Sequence, residues 1–307
     1  MNLVCPRDRA ALARAEGELA CAEGHRYRVA DDVPVLLVEE DEPTHGACWV
    51  SLDEEGGEPA GDTDEFVQGV IAATCGNLYR HLIGNVRTYP IPEIRLPPGD
   101  GRTFLEVGCN WGRWCVSAAR RGYRVVGIDP SLDAIRAARR VADELGVETE
   151  YLVADARHLP FADRSFDVVF SYSVFQHFTR DAAVTAFHEI GRVLKPGGLS
   201  LIQMANVWGA RSLFNQLRER RFREPRTLFD VRYWSPAELR GELERAVGPT
   251  ELSVDGFLTL NPQPADLPLL PRRYRALVRL SETYRGASRR LPFLVHAADS
   301  VYAASHR

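Results

Sequence analysis

Three apolar runs each end at or beside an acidic side chain, and a glycine-bearing bend follows the first. Phe104-Leu105-Glu106-Val107 leads into Gly108-Cys109-Asn110-Trp111-Gly112. Arg124-Val125-Val126-Gly127-Ile128 ends in Asp129-Pro130-Ser131, and Tyr151-Leu152-Val153-Ala154 ends in Asp155-Ala156. Glycine admits positive φ and lets a ligand come close to the main chain. In an open α/β sheet, ligands bind beyond the carboxyl ends of the strands. A dinucleotide fingerprint needs Gly-x-Gly-x-x-Gly. Counted from Gly108, the third and sixth positions are Asn110 and Arg113, so that pattern fails twice. The pattern acidic-x-Gly-x-Gly-x-Gly is met by Glu106, Gly108 and Gly112, with Asn110 at the middle glycine. Asn is among the non-glycine residues that best tolerate the left-handed region. A carboxylate at the tip of a second strand, here Asp129, can accept hydrogen bonds from both hydroxyls of a ribose. The same stretch also reads as a turn in which Ser131 caps the next helix.

Further candidates flank these runs. After a fourth apolar run comes Ser171-Tyr172-Ser173-Val174-Phe175-Gln176-His177. An unperturbed imidazole has its pKa near neutrality, so His177 could take a proton from a hydroxyl nucleophile; packing at the sheet edge is the alternative. Tyr79, Arg80 and His81 precede the first run, on a segment whose Leu78 and Leu82 have the spacing of an inward helix face. Arg218, Arg220, Arg221, Arg223 and Arg226 form a basic run, readable as an anion grip or as a solvated helix end. Phe214, Phe222, Phe229, Tyr233 and Trp234 surround it and suit either a pocket wall or core packing.

The elements that must position these groups alternate in type. Strands are expected at Thr103–Val107, Arg124–Ile128, Tyr151–Val153, Asp167–Ser171 and Leu199–Met204. Helices are expected at Trp111–Arg121, Leu132–Leu145 and Ala182–Leu194. Such alternation implies βαβ units and a parallel sheet. Lys195-Pro196-Gly197-Gly198 reads as a helix stop and tight turn before the last of these strands. A helix over Phe66–His81 is expected before the core. After it, helices are expected at Pro236–Ala246 and Arg272–Tyr284, and strands near Leu252–Phe257 and at Ser300–Ala304.

The 307 residues suit one large domain with a small appendage. The appendage is residues 1–38, with strands at Tyr27–Val29 and Val33–Val38 around the turn-like Asp31-Asp32. Residues 39–65 carry eleven acidic side chains and no Lys or Arg, which reads as a solvated linker. Residues 66–307 form the large domain, with a core of about 100–205 and flanking elements at about 66–98 and 206–290. The net charge of −4 argues against a nucleic-acid partner. No apolar run approaches the ~20 residues of a membrane span, and Arg7, Asp8 and Arg9 stand where a signal peptide needs apolar residues. A cytoplasmic protein is expected, its six cysteines free thiols; its oligomeric state stays open.

Glu106-x-Gly108-x-Asn110-x-Gly112, Asp129, Asp155 and the Leu194-Lys195-Pro196-Gly197-Gly198 stretch, in that order over about 100 residues, resemble the class I S-adenosylmethionine-dependent methyltransferase family. The resemblance implies a doubly wound, mostly parallel, seven-stranded Rossmann-like sheet. It implies S-adenosylmethionine as cofactor, S-adenosylhomocysteine as product, and a small-molecule methyl acceptor. The readings weighed beside this one are an RNA or protein methyltransferase and a non-enzymatic cofactor-binding module. By resemblance the cofactor side comprises Glu106 near the methionine part, Gly108, Asn110 and Gly112 in the bend, and Asp129 and Pro130 at the ribose. Asp155 and Ala156 fall at the adenine, and Ser171, Tyr79 and Arg80 complete the set. His177, Tyr172 and His81 are the candidates for catalysis. Residues 3–38 look similar to short zinc-ribbon-like units found beside some bacterial methyltransferases. Only one cysteine of each expected pair remains, Cys5 and Cys21; Asp8 stands at the second place and His25 falls one residue late. Cys, Asp, Cys and His could still supply a tetrahedral zinc site. The degeneracy favours a metal-free unit resting on Val33, Val35, Leu36 and Leu37, so no metal ligand is assigned.

Overall fold

Four short strands open the chain: β1 (Ala13–Ala15), β2 (Glu18–Ala20), β3 (Arg26–Ala30) and β4 (Val33–Leu36). The computed structural model describes residues 2–15, 17–38, 62–218, 220, 222, 231–258 and 263–307. Most of the acidic linker, residues 39–61, thus lies outside the described residues. Asp31 and Asp32 both adopt positive φ, 51° and 61°, as a two-residue hairpin turn between β3 and β4 demands. Helix α1 (Glu65–Cys75) follows, then a 3-10 segment, Asn77–Leu82. A single helix over Phe66–His81 was the expectation; Gly76 at φ 99° breaks it in two.

The alternating core comprises β5 (Thr103–Val107), α2 (Arg113–Arg120), β6 (Arg124–Asp129), α3 (Leu132–Glu144) and β7 (Thr149–Ala154). It continues with β8 (Phe166–Tyr172), α4 (Arg180–Val193) and β9 (Leu194–Ala205). Then come α5 (Ala210–Arg218), α6 (Pro236–Ala246), β10 (Thr250–Gly256), α7 (Arg272–Ser288) and β11 (Ser300–His306). Strand β9 starts directly where α4 ends, and the turn expected over Lys195–Gly198 takes the form of a bulge: pairing with β8 shifts between Leu194 and Leu199, and Gly197 has φ 76°. Lys195 pairs with Asp167 at 2.7 Å, and the Gly197 N–H donates to the Arg307 carbonyl at 2.8 Å.

The sheet has eleven strands, not seven, in the order β1-β2-β3-β4-β7-β6-β5-β8-β9-β11-β10. Seven of them, from β7 to β10, lie within the large domain. The other four are the N-terminal unit, which adds to the sheet rather than standing apart. Strand β4 pairs in parallel with β7, Val35 opposite Val153 and Leu36 opposite Ala154. An open β7 edge would present unpaired main-chain groups, and β4 covers it. Pairing is parallel from β4 through β9 and antiparallel at β9/β11 and β11/β10.

Alternation along each strand divides the core between the two sheet faces. Leu105, Val107, Val126, Ile128, Leu152 and Ala154 pack on one side with Phe187, Cys5, Tyr27 and Leu36. Phe104, Val125, Tyr151, Val153 and Phe170 pack on the other with Trp114, Ile135 and Tyr302. A third cluster joins Val67, Ile71 and Tyr79 to Trp111, Val116, Ala137 and Val141, seating α1 and the 3-10 segment over the glycine bend. Among the described residues, no helix is long and apolar enough to cross a membrane.

Candidate cofactor site

Strand order reverses at β5, which has β6 on one side and β8 on the other. The carboxyl ends of β5 and β8 therefore flank a crevice of the kind that holds ligands in open α/β sheets. The bend beyond β5 has φ of 75° at Gly108, 46° at Asn110 and 80° at Gly112. The three positions singled out by spacing are thus the three that turn left-handed, and Asn110 takes a conformation it tolerates. Its side chain accepts the Trp111 N–H at 2.8 Å. A methyl group added at Gly112 would lie 2.5 Å from the Tyr151 hydroxyl, so space as well as φ demands glycine.

Two carboxylates stand at this bend. Glu106 shares a sheet face with Phe104, in an otherwise apolar layer, and is only 2% exposed. Its Oε2 has no hydrogen-bond partner among the described residues. Burial pushes its pKa up to about 8, against a lowering by Cys115 and Arg113. An unsatisfied buried oxygen is costly, and such a group calls for a reason. Asp129 accepts the Asn110 N–H on Oδ2 at 3.0 Å and the Ser131 N–H on Oδ1 at 3.0 Å. Burial raises its pKa to about 6, while those two amides pull the other way. Each oxygen keeps a second lone pair. Ser131 also caps α3, its hydroxyl accepting the Ala134 N–H at 3.3 Å. The Asp129 carboxylate and the start of α3 share this strand tip.

At the tip of β7, Asp155 is buried and tied to Arg157 at 2.6 Å. It also accepts the Arg157 N–H at 2.8 Å. Ala156 follows, buried. Pro130 sits half-buried beyond Asp129. At the tip of β8 the Ser171 hydroxyl donates to the Val107 carbonyl at 3.0 Å, which ties β8 to β5. Val174 leans over Gly108; a methyl group there would lie 2.5 Å from its side chain.

The catalytic candidates occupy three different settings. The Tyr172 hydroxyl donates to Asp255 Oδ2 at 2.9 Å, and its ring lies 4.7 Å from that of Trp114. Burial and the Asp255 charge raise its pKa well above the ordinary phenol value. His177 is half-buried on a 3-10 turn, Phe175–His177, just beyond β8. Its ring nitrogen Nε2 lies 3.4 Å from Gln176 Nε2. His81 is exposed, with Nε2 at 3.1 Å from the Leu269 carbonyl. Of its neighbours, Arg80 is exposed and Tyr79 wholly buried. Trp234 is buried, Tyr233 half-buried, and Phe214 and Phe222 exposed. Arg218 ends α5 over the Phe214 ring at 5.9 Å, and Arg220 is exposed. Arg221, Arg223, Arg226 and Phe229 lie outside the described residues.

Residues 104–198 match the family model described as a methyltransferase domain. This stretch of the chain is a methyltransferase domain. Ubiquinone biosynthesis O-methyltransferase of Brucella anthropi is 34% identical over 110 residues, 36% of this chain and 43% of that protein. The enzyme of that name from a Chelativorans species is 36% identical over 110 residues, 36% of this chain and 42% of that one. The chain thus spans under half the length of these curated relatives. A solved S-adenosylmethionine-dependent methyltransferase from Methanosarcina mazei is 19% identical, covering 68% of this chain and 93% of that one, with a TM-score of 0.49.

Around the bend of the methyltransferase domain, the structure adds a group that spacing alone passed over. Arg113, the first residue of α2, is buried. Its Nη1 donates to Cys75 Sγ at 2.6 Å, and its Nη2 lies 3.6 Å from Asp266. Its Nε finds no partner among the described residues, nor do the Tyr79 hydroxyl and Asp266 Oδ1. Burial opposes its charge; Cys75, Asp266 and Tyr79 favour it, and its pKa rises. A signal was present. A cation in the first turn of a helix opposes the helix dipole, and a broken local rule marks a functional or strained position. Asp266 and Cys75 carried no such mark.

Proposed function

We propose that this chain methylates a small-molecule acceptor, using S-adenosylmethionine. One observation carries the reading. A three-position left-handed bend is bracketed by Glu106, a buried carboxylate with an unpartnered oxygen, and Asp129, whose carboxylate points back at the bend. When bound, S-adenosylmethionine supplies an electrophilic methyl group on a sulfonium.

The residues present suit that cofactor. Glu106 would accept from the ammonium of its methionine part. Arg113 offers buried donors for the adjoining carboxylate, with Tyr79 beside it. Asp129 would accept from the ribose hydroxyls, with Pro130 ending that strand tip. Asp155 and the Ala156 amide would meet the adenine, which requires Asp155 to share or release Arg157. Gly108, Asn110 and Gly112 keep side chains out of the way, and Ser171 keeps β8 in register with β5. Tyr79 and Arg80 would close over the cofactor from the 3-10 segment.

For the acceptor, His177 is the base in best position to hold a proton leaving a hydroxyl, since imidazole titrates near neutrality. Tyr172 suits a positioning role; a phenol bonded to a buried carboxylate gives up its own proton poorly. His81 would act only from the rim. The named relatives make oxygen acceptors the first class to try. The expected results are labelled methyl transfer to a phenol or alcohol and, by calorimetry, no detectable cofactor binding by Asp129→Ala. Cofactor binding without labelled product from any small acceptor would sink the enzyme reading. Preferential labelling of RNA or protein would replace the acceptor class. Unchanged affinity in Asp129→Ala would remove the ribose assignment.

A further inference from the structure

Away from the crevice, four side chains from two turns converge in the N-terminal unit. Cys5, Asp8, Cys21 and His25 each bring one donor atom, and all four atoms lie within 4.8 Å of one another. His25 Nδ1 lies 3.5 Å from both Cys5 Sγ and Cys21 Sγ and 2.8 Å from Asp8 Oδ2. Cys21 Sγ lies 3.2 Å from Asp8 Oδ2. With bonds of about 2.0–2.3 Å, a tetrahedral zinc ion needs ligand atoms about 3.3–3.8 Å apart. Two observed edges fall within that range and a third lies just below it. The fourth, a His–Asp hydrogen bond, needs to open by about half an ångström.

Backbone and neighbouring side chains aim these donors. In the first turn the Cys5 N–H donates to the Ala10 carbonyl and the Arg9 N–H to the Cys5 carbonyl, both at 2.8 Å. In the second, the Cys21 N–H reaches the His25 carbonyl and the Gly24 N–H the Cys21 carbonyl, both at 3.1 Å. The Ala10 N–H binds Asp8 Oδ1 at 2.8 Å, which leaves Oδ2 to face the cluster. The Tyr27 hydroxyl lies 3.1 Å from Cys5 Sγ, where it can donate to a thiolate. Such outer contacts orient ligands.

We propose that Cys5, Asp8, Cys21 and His25 bind a structural zinc ion. Two sulfurs and an imidazole select a borderline-soft metal over calcium or magnesium, and four protein donors leave no open position. Binding releases the two thiol protons. Two thiolates, a carboxylate and a neutral imidazole then bring a charge of −3 to the dication. The ion fastens the unit to the methyltransferase domain. The Val4 N–H donates to the Pro160 carbonyl at 3.0 Å, and Leu3 bridges to Phe161. Both contacts sit on the loop that leaves Asp155.

Elemental analysis of the full chain, purified from zinc-supplemented cells, tests this without reference to activity. One zinc per chain is expected. Cobalt(II) added to the chelator-stripped, reduced protein should give the visible bands of a tetrahedral site, with sulfur-to-metal charge transfer. Asp8→Cys should raise that charge-transfer intensity from two thiolates to three. Cys21→Ser should lose the metal, while Cys75→Ala, altered outside the cluster, should keep it. Zinc below about a tenth of an equivalent, with no tetrahedral cobalt spectrum from the wild type, overturns the site. So does a Cys5–Cys21 disulfide in the protein as purified, or metal retained by Cys21→Ser. The wild-type titration decides even if a variant fails to fold.

Discussion

At the scale of single residues, Glu106 is the more heavily perturbed of the two carboxylates at the bend. Its pKa is about 8 in the fold and 4.5 as a free side chain. Below pH 4.5 the carboxyl is neutral in both states and burial costs no charge. As pH rises, the unfolded chain ionises first, so this group's contribution to stability falls between about 4.5 and 8. The slope is at most about 1.4 kcal/mol per pH unit. Glu106→Gln should remove that slope. Denaturant unfolding at several pH values should show the variant more stable than wild type at pH 8, by on the order of 4 kcal/mol. At pH 4 the two should nearly coincide. Parallel curves would show that Glu106 keeps its charge when buried. On the proposed reading, a bound ammonium would also drive a proton off Glu106, so wild-type cofactor affinity should rise with pH up to about 8 and the variant's should not.

The same residues show what spacing can and cannot reveal. Glu106, Gly108, Asn110, Gly112 and Asp129 were legible because short-range geometry fixes them. A strand tip, a left-handed bend and a helix cap each leave a local mark. Arg113 left a fainter one, as a misplaced cation. Asp255, which ties Tyr172, Gln203, Ser300 and Arg95 together, left none. Its partners come from four distant segments, and sequence carries no trace of how the end of β10 meets the tip of β8.

Elements were legible where they are long and periodic. Pro236–Ala246 emerged at its expected limits because a serine cap, a Pro at the first position and Glu238 at the third mark its start. Strands β1 and β2 went unread; three residues carry too little alternation to register. The break at Gly76 was hidden by the apolar spacing on both sides of it. Helix α1 makes the element-scale prediction. Asp64 caps it, Oδ1 accepting the N–H groups of Phe66 and Val67 at 3.0 and 3.4 Å, while Oδ2 binds Arg140 of α3 at 2.6 Å. Trp111 of the bend donates to Thr74 of α1 at 3.0 Å. Asp64→Ala should cost about 1 kcal/mol. Amide exchange in residues 65–75 should quicken more than in β5 or β6. Uniform quickening would mean that α1 opens only with the whole domain.

At the scale of the whole molecule, the N-terminal unit is continuous with the main sheet. The expectation of a separate appendage came from its composition and the acidic stretch after it; edge pairing across more than a hundred residues leaves no local mark. The β4/β7 pairing, the Val4–Pro160 hydrogen bond, the Arg9–Glu189 and Asp31–Arg136 ion pairs, and the burial of Cys5, Tyr27 and Leu36 against Leu152, Ala154, Leu159 and Phe161 bind it. Four short strands alone bury too little apolar surface to be stable. The unit should therefore open only when the domain does. Hydrogen exchange in native conditions should give the protected amides of β3 and β4 the same opening free energy as those of β5 and β6. Leu36→Ala truncates a fully buried side chain at the seam and should cost about 2–5 kcal/mol. If the sheet unfolds as one body, that loss appears equally on both sides of the seam. Loss confined to residues 3–38, with β5 and β6 keeping their wild-type protection, would show a unit that docks and undocks on a folded domain. The loop bearing Asp155 would then be held only part of the time.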